Sequence, residues 1–285
     1  MTDVFTGAQR LLDRMLERDH DRVGEAGRTL ALVHGARTAR SAVLFHGLSA
    51  SPMQFVQIAR GLHERGYNVI VPRLPRHGYA DRMSTAQATM RAEDLKAAAL
   101  SSLEVARGLG ERVTVAGFSL GGLLAAWTAQ TQDVERAVPI APFLGIAFVP
   151  SRLSAQLTRA ALHLPNFFNW WDPVLRERQL PVHGYPRYAT HALAQAMLLS
   201  HELFEAAAAG PPKAQTIMLV TNAREAAVNN RAARKLAALW RAKRPEALET
   251  YEFADLPISH DIIEPLHHPE IVEKVYPILI ELLDR

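Results

Sequence analysis

The sequence of 285 residues contains no cysteine, which excludes disulfides, thiolate-bound zinc, iron–sulfur clusters and a cysteine nucleophile. It also lacks a marked excess of either charge, because 32 Lys and Arg residues and 29 Asp and Glu residues leave a net charge of +3. A chain this close to neutrality is not expected to be a dedicated nucleic-acid binder. Since 48% of its residues are apolar and only 21% are charged, we expect it to fold and to bury a large core.

Long hydrophobic runs are also missing. Residues 1–20 mix apolar and charged side chains with the spacing of an amphipathic helix, whereas a signal peptide needs an uninterrupted apolar stretch. The most apolar window, residues 137–150, is interrupted by Pro139 and Pro142 and is too short to cross a bilayer. We therefore expect a cytoplasmic protein without an integral membrane span.

Short β-branched runs alternate with longer helical patterns along most of the chain. The predicted strands are residues 42–45, 67–71, 112–116, 137–140, 215–221 and 248–253. The predicted helices are residues 53–65, 88–108, 119–130, 230–243 and 269–283. This alternation predicts an α/β fold with an open, mostly parallel sheet. Residues 28–34 are additionally predicted to form a hairpin with residues 41–45.

The alternation stops between residues 143 and 212. Two helical patterns, at residues 151–164 and 190–208, have no predicted strand between them, and the segment contains nine of the chain's 20 aromatic residues. An insertion at this point lies above the carboxyl ends of the strands, where open α/β folds bind their ligands. We therefore expect three parts, namely an N-terminal helix in residues 1–27, an α/β core of residues 28–142 and 213–285, and a helical cap of residues 143–212.

The strongest chemical signal is a Gly-Phe-Ser-Leu-Gly-Gly segment at residues 117–122, between a predicted strand and a predicted helix. A serine on such a tight turn has a strained backbone with positive φ, and flanking side chains would clash. Gly117 and Gly121 remove those side chains, and the N-terminus of the helix favours negative charge beside the hydroxyl. The segment predicts Ser119 as a nucleophile, and a plain glycine-rich turn is the alternative.

In this context the sequence resembles the α/β-hydrolase superfamily, and more narrowly its capped carboxylesterases and monoacylglycerol-lipase-like members. The resemblance implies a mostly parallel central sheet with helices on both faces and a helical cap. In that family a His-Gly-x segment after an early strand supplies an oxyanion donor, and here His46 and Gly47 begin this segment. The resemblance therefore implies that the backbone N–H groups of Leu48 and Leu120 form the oxyanion hole. The His46 side chain is expected only to brace the loop.

His260 is the predicted general base among the 12 histidines. It follows the last predicted strand, and a loop at the carboxyl edge of the sheet can bring an imidazole to Ser119. The family also places its histidine at this point, after the nucleophile and the acid. A buried structural histidine is the alternative.

Glu225 is the candidate for the acid. The family usually has Gly-x-x-Asp-x-x-Val after the penultimate strand, and residues 222–228 read Asn-Ala-Arg-Glu-Ala-Ala-Val. Glutamate thus stands at the position of the aspartate, a role that it has in other hydrolases. Asp255, which precedes the histidine loop, is the competing candidate, and an exposed glutamate at a helix start is the alternative.

A second departure from the family concerns the Leu-Pro-Arg-His-Gly segment at residues 74–78, where Arg76 replaces the first glycine of Gly-His-Gly. We expect a solvated loop arginine there rather than a contact for an acidic substrate group.

These residues predict hydrolysis of a carboxylic ester through an acyl-enzyme, with no metal or organic cofactor. The aromatic-rich cap predicts a small-molecule ester substrate with an apolar acyl or alcohol part. Thioesterase, peptidase and C–C bond hydrolase activities use the same triad and stay open as alternatives. So does a non-catalytic ligand-binding protein of this fold. Neither the natural substrate nor the oligomeric state follows from these residues.

Overall fold

A seven-stranded sheet forms the centre of the structure, a computed structural model that describes residues 4–19, 22–146, 151–179, 181–266 and 268–285. The strands in these ranges are β1 (Leu30–Leu32), β2 (Thr38–Phe45), β3 (Tyr67–Val71), β4 (Gly110–Phe118), β5 (Arg136–Ile140), β6 (Phe168–Trp170), β7 (Arg187–Ala189), β8 (Thr216–Asn222) and β9 (Leu248–Phe253). The central sheet has the order β1-β3-β2-β4-β5-β8-β9, and all its neighbouring pairs are parallel except β1 with β3. The six parallel strands, β2, β3, β4, β5, β8 and β9, therefore end at a common carboxyl edge.

Helices cover both faces of this sheet. The α-helices in the described ranges are α1 (Val4–Leu16), α2 (Val56–Glu64), α3 (Ala92–Leu109), α4 (Leu120–Thr131), α5 (Ser151–His163), α6 (Thr190–Ala209), α7 (Asn230–Lys243) and α8 (Pro269–Asp284). Side chains alternate across a strand, so Val43 and Phe45 of β2 belong to an apolar cluster with residues of α3, α4, α6 and α7, whereas Ala42 and Leu44 belong to a second cluster with residues of α2 and α8. Helix α1 packs on α3 in a smaller cluster that includes Phe5 and Leu109.

The predicted core strands and helices are present, with ends shifted by no more than four residues. The central strands are buried on both faces, which is why they could be identified as continuous apolar runs. None of the helices in the described ranges combines the length and apolarity needed to cross a bilayer.

Two predictions about strands are wrong. The segment Leu30–Leu32 does not form a hairpin with β2 but pairs antiparallel with β3, because β2 is already paired with β3 on one side and β4 on the other. The insertion also contains strands β6 and β7, which pair antiparallel as a separate ribbon. Each has only three residues, too few for a recognisable alternating pattern.

The insertion between β5 and β8 contains α5, the β6–β7 ribbon and α6. Helix α6 places Leu199, Leu203 and Ala207 in the same apolar cluster as α4, so this helix is packed into the main body of the protein. Parts of the insertion, residues 147–150 and 180, lie outside the described residues. The separation of a cap at residues 143–212 from the core stays a prediction, as does the extent of the N-terminal part at residues 1–27.

Candidate active site

Ser119 stands on the turn between β4 and α4 with φ of 55° and ψ of −110°. A positive φ is unfavourable for a residue with a Cβ atom, so the surroundings must hold it. Its N–H donates to the carbonyl of Ile140 at 3.0 Å, and its own carbonyl accepts from the N–H groups of Leu123 and Phe143, both at 2.9 Å. The strained turn is thereby held by β5, by the helix that follows and by the start of the insertion.

The glycines on either side of Ser119 are required by close backbone contacts. A Cβ atom on Gly117 would overlap the carbonyl oxygen of Gly121, and one on Gly121 would overlap that of Phe45 at the end of β2. Because neither glycine has a side chain, the turn can pack directly against the carboxyl edge of the sheet. This is the geometry that the Gly-x-Ser-x-Gly spacing predicts.

Three loops at that edge bring Ser119, Glu225 and His260 together. Nε2 of His260 lies 2.8 Å from Oγ of Ser119, and Nδ1 of the same ring lies 2.9 Å from Oε2 of Glu225. An ionised carboxylate can only accept hydrogen bonds, so the proton of the neutral ring is on Nδ1. Nε2 is then the acceptor for the serine hydroxyl.

Glu225 is the acid that the fold places against His260, and its side chain is completely buried. Burial alone would raise the pKa of Glu225, but hydrogen bonding and charge attraction from His260, with hydrogen bonds from the N–H groups of Ala227 and Val228, lower it. Those two N–H groups lie 2.8 and 3.2 Å from Oε1. Asp255, the competing candidate, is exposed. The carboxylate at the site therefore stays ionised near neutral pH.

The buried Asn222, at the end of β8, holds both loops that bring Glu225 and His260 together. Its side-chain N–H donates to the carbonyl of Ser259 at 2.8 Å, and its side-chain oxygen accepts from the N–H of Arg224 at 3.1 Å. These bonds fix the residues immediately before His260 and Glu225. Sequence reasoning missed Asn222, although an asparagine closing a buried strand just before Glu225 was a usable signal.

The predicted oxyanion donors belong to residues next to the serine turn: Leu120 follows Ser119, and a Cβ atom on Gly47, which precedes Leu48, would lie 3.6 Å from Cβ of Ser119. Leu120 is the first residue of α4, so its N–H has no acceptor within the helix. Within the described residues neither the Leu48 nor the Leu120 N–H is seen to donate a hydrogen bond. The N–H of Gly47, by contrast, donates to Oε1 of the buried Gln54 at 2.9 Å. Leu48 and Leu120 thus stay the predicted pair of donors.

The ring of His46 is buried and braces its own loop. Nδ1 lies 2.9 Å from the carbonyl of Gly47, and Nε2 accepts from the N–H of Leu74 at 3.1 Å. A carbonyl is only an acceptor, so Nδ1 carries the ring proton. Burial holds the pKa of His46 well below its usual value, and repulsion from His77 adds to this effect. The ring is therefore neutral and joins two loops.

Arg76 is exposed, and its φ of 66° lies in the left-handed region that favours glycine. The carbonyl of Arg76 accepts a hydrogen bond from the Tyr185 hydroxyl at 3.3 Å, which ties this loop to the insertion. Over the described part of the chain, no three His, Asp or Glu side chains are grouped to hold a metal ion.

A model of the Alpha/beta hydrolase family matches residues 42–272. Solved structures with similar folds include one from a study of LipS and LipT, two metagenome-derived lipolytic enzymes. Its sequence is 16% identical and its TM-score is 0.67, and the alignment covers 91% of this chain and 99% of that chain. The monoacylglycerol lipase of Paleococcus ferrophilus is 18% identical with a TM-score of 0.66, covering 90% and 98% of the two chains.

A soluble variant of the monoglyceride lipase from Saccharomyces cerevisiae, in complex with a substrate analog, is 12% identical with a TM-score of 0.65 and coverage of 90% and 91%. No curated protein matches the sequence. At such low identities the structural similarity establishes a common fold.

Proposed function

Because the chain belongs to the alpha/beta hydrolase family, we propose that it is a serine hydrolase that cleaves carboxylic esters through an acyl-enzyme on Ser119. A fold shared by many hydrolases does not by itself specify a reaction, so the site must support the proposal. The observation that supports it most is the hydrogen-bonded series from Glu225 through His260 to Ser119, with distances of 2.9 and 2.8 Å.

In the first half of the proposed reaction, Oγ of Ser119 attacks the ester carbonyl while Nε2 of His260 accepts the hydroxyl proton. The carboxylate of Glu225 holds the proton of the ring on Nδ1 and stabilises the imidazolium that forms. The new C–O bond pushes the carbonyl electron pair onto oxygen. The N–H groups of Leu48 and Leu120 are proposed to bind this oxyanion, and the loss of one such donor typically lowers the rate about 10²–10³-fold.

The tetrahedral intermediate then collapses, and the alcohol leaves with the proton from Nε2 of His260. In the second half a water molecule gives a proton to the same nitrogen and attacks the acyl carbon. The bond from the acyl carbon to Oγ of Ser119 then breaks, and Nε2 returns the proton to Oγ, which releases the acid and restores the serine and the neutral ring. Every proton in this scheme passes through one ring atom. The hydrogen bond between Nδ1 and Glu225 is kept throughout.

An apolar acyl or alcohol part is the proposed feature of the substrate. The insertion exposes several large apolar side chains, and the loop that carries His260 exposes Ile258. Those in the described part of the insertion are Ile146, Leu164, Phe167, Trp171, Val174, Leu175 and Val182. The similar structures include lipolytic enzymes and monoacylglycerol lipases, which agrees with an ester of this kind.

The test is a series of p-nitrophenyl esters, thioesters and aminoacyl amides with acyl chains of increasing length, assayed in parallel. We expect turnover of the esters, and we expect Ser119→Ala to lower kcat on the order of 10⁴–10⁶-fold. Ser101→Ala in α3 is the matched control and should retain full activity, because its hydroxyl only bonds the carbonyl of Ala98 within the helix. Unchanged turnover in Ser119→Ala would remove this residue from the mechanism. Preferred turnover of thioesters or amides would reassign the substrate class.

A further inference from the structure

His77, in the loop after β3, is a buried ring that the proposed reaction does not use. Its Nδ1 lies 2.9 Å from the carbonyl of Pro75, and its Nε2 lies 3.2 Å from the backbone nitrogen of Ser49. The carbonyl only accepts, so the ring proton is on Nδ1. Nε2 of the neutral ring therefore accepts the hydrogen bond that the N–H of Ser49 donates.

The peptide planes on both sides of Leu48 are each held by a buried histidine. The N–H of Ser49 belongs to the plane after Leu48, and His77 holds that plane. The carbonyl of Gly47 belongs to the plane before Leu48, and Nδ1 of His46 donates to it. In a trans peptide the C=O and N–H groups point in opposite directions, so the bond from His46 sets the direction of the Leu48 N–H within its own plane. The bond to His77 fixes the next plane and thereby the backbone conformation that Leu48 keeps between the two.

Ser49 has a backbone conformation that needs this support, since its φ of 66° is unfavourable for any residue with a Cβ atom. Its carbonyl accepts from the N–H of Tyr185 at 2.7 Å, and its hydroxyl accepts from the side chain of Gln87 at 3.2 Å. The bond to His77 is the one that holds its N–H. Without that bond, the peptide plane between Leu48 and Ser49 would lose its acceptor and could rotate.

We propose that His77 is a positioning residue that holds the peptide bond after Leu48, so that Leu48 keeps the backbone conformation in which its N–H reaches the oxyanion. This inference rests on the proposed function, because it concerns the oxyanion hole of the same reaction. His77 acts through Ser49 and Leu48.

The role requires a neutral ring, and the surroundings of His77 keep it neutral. Burial lowers the pKa of His77 to about 4; the bond from Nδ1 to Pro75 opposes this effect and the nearby Arg73 guanidinium adds to it. A proton on Nε2 would point at the N–H of Ser49, so two donors would face each other and the hydrogen bond would be lost. The ring is therefore an acceptor throughout the neutral pH range.

The titratable groups against the ring give an imidazolium no support. His46 lies edge-on with ring centroids 5.1 Å apart, and Tyr185 is stacked at 6.2 Å. Arg73 donates to the carbonyl of His77 at 3.3 Å. None of the three is a carboxylate, so no counter-charge from these neighbours favours a protonated His77.

The test compares two variants of the full chain. Gln in place of His77 can put its amide oxygen near the position of Nε2, whereas Leu fills a similar volume without an acceptor. We expect His77→Leu to lower kcat by about tenfold to a hundredfold with KM within about threefold of wild type, because a misplaced donor weakens only the transition state. His77→Gln should recover most of kcat. His63→Gln in α2, whose ring bonds the carbonyl of Tyr67, is the control for replacing a histidine elsewhere.

The proposal is overturned if His77→Leu keeps its kcat, if it changes KM alone, or if His77→Gln is no better than His77→Leu. Nitrogen-15 NMR of the wild-type ring at neutral pH is a second readout that needs neither a variant nor a substrate. A neutral ring with its proton on Nδ1 is expected, and a proton on Nε2 overturns the proposal. If the wild-type protein hydrolyses no ester, the proposed function fails, while the NMR result still decides the state of His77.

Discussion

His183 of the insertion and Glu264 of the loop after β9 form a contact between two buried side chains, with Nε2 and Oε2 3.3 Å apart. The two atoms are close enough for an ion pair, but they are not aligned for a hydrogen bond. On the other side of the ring, Nδ1 of His183 lies 3.0 Å from Oγ of Ser51, which follows the oxyanion segment. One residue of the insertion thus contacts both loops that border the proposed site.

The first prediction concerns this contact. His183→Leu removes the ring that contacts both Glu264 and Ser51, and the free energy of unfolding should fall by about 1–3 kcal/mol, the cost of leaving buried polar groups without a partner. The double variant His183→Leu/Glu264→Gln should be more stable than His183→Leu, because an amide is less costly than a carboxyl group to bury without that partner. Urea denaturation measures both. Equal stability of the single variant and the wild-type protein would show that the pair contributes nothing.

The second prediction concerns activation of the nucleophile. A fluorophosphonate should label Ser119 alone, because among the described residues this is the hydroxyl that is hydrogen-bonded to Nε2 of His260. His260→Ala should slow labelling at least about a hundredfold, which is the lower range of what a general base contributes. Mass spectrometry of the labelled peptide identifies the site. His191→Ala, at the half-buried start of α6, is the control. Equal labelling in His260→Ala would disqualify His260 as the base.

The third prediction concerns the identity of the acid. Glu225→Gln should lower kcat/KM on the order of 10³–10⁴-fold, because an amide no longer holds the ring proton on Nδ1. Asp255→Asn should remain within about twofold of wild type, since an exposed side chain contributes little. Ester hydrolysis under second-order conditions measures both. The reverse order of effects would assign the acid to Asp255.

The fourth prediction concerns stability against pH. The pKa of Glu225 is lowered on folding below its ordinary value of 4.5, so its ionised form stabilises the native state. That contribution is complete above pH 4.5 and is lost as pH falls through the lower pKa of the folded state. The difference in unfolding free energy between wild type and Glu225→Gln should therefore shrink in acid. A difference that stays constant from pH 7 to pH 3 would contradict the lowered pKa.

The fold was largely predictable because most of its elements have their own local pattern. Strands β3 and β9 and helix α7 have the predicted bounds, and the fold of the family is confirmed by the family match and the similar structures. The short strands β1, β6 and β7 were not predictable in the same way. A strand of three residues is too short to show an alternating apolar pattern. The strand with which it pairs depends on which strand edges are free in the folded protein.

The residues that support the candidate site could not be found from spacing alone. Asn222 holds the loop of Ser259, 37 residues away, and His77 reaches Ser49 across 28 residues. His183 meets Ser51 across 132 residues. Such pairs form only when loops from different strands meet at the carboxyl edge, so each of these polar residues has many possible partners in the sequence.

What the amino-acid sequence determined by itself was the serine turn and the order of strands and helices, because glycine spacing and apolar runs act over a few neighbouring residues. Only the tertiary structure decided which carboxylate meets His260, and which rings hold the peptide planes around Leu48. Those contacts depend on how far each loop extends over the sheet edge and on which polar groups are buried together. The physical reason is that a buried donor or acceptor must be hydrogen-bonded, and the folded arrangement determines which partner lies within reach.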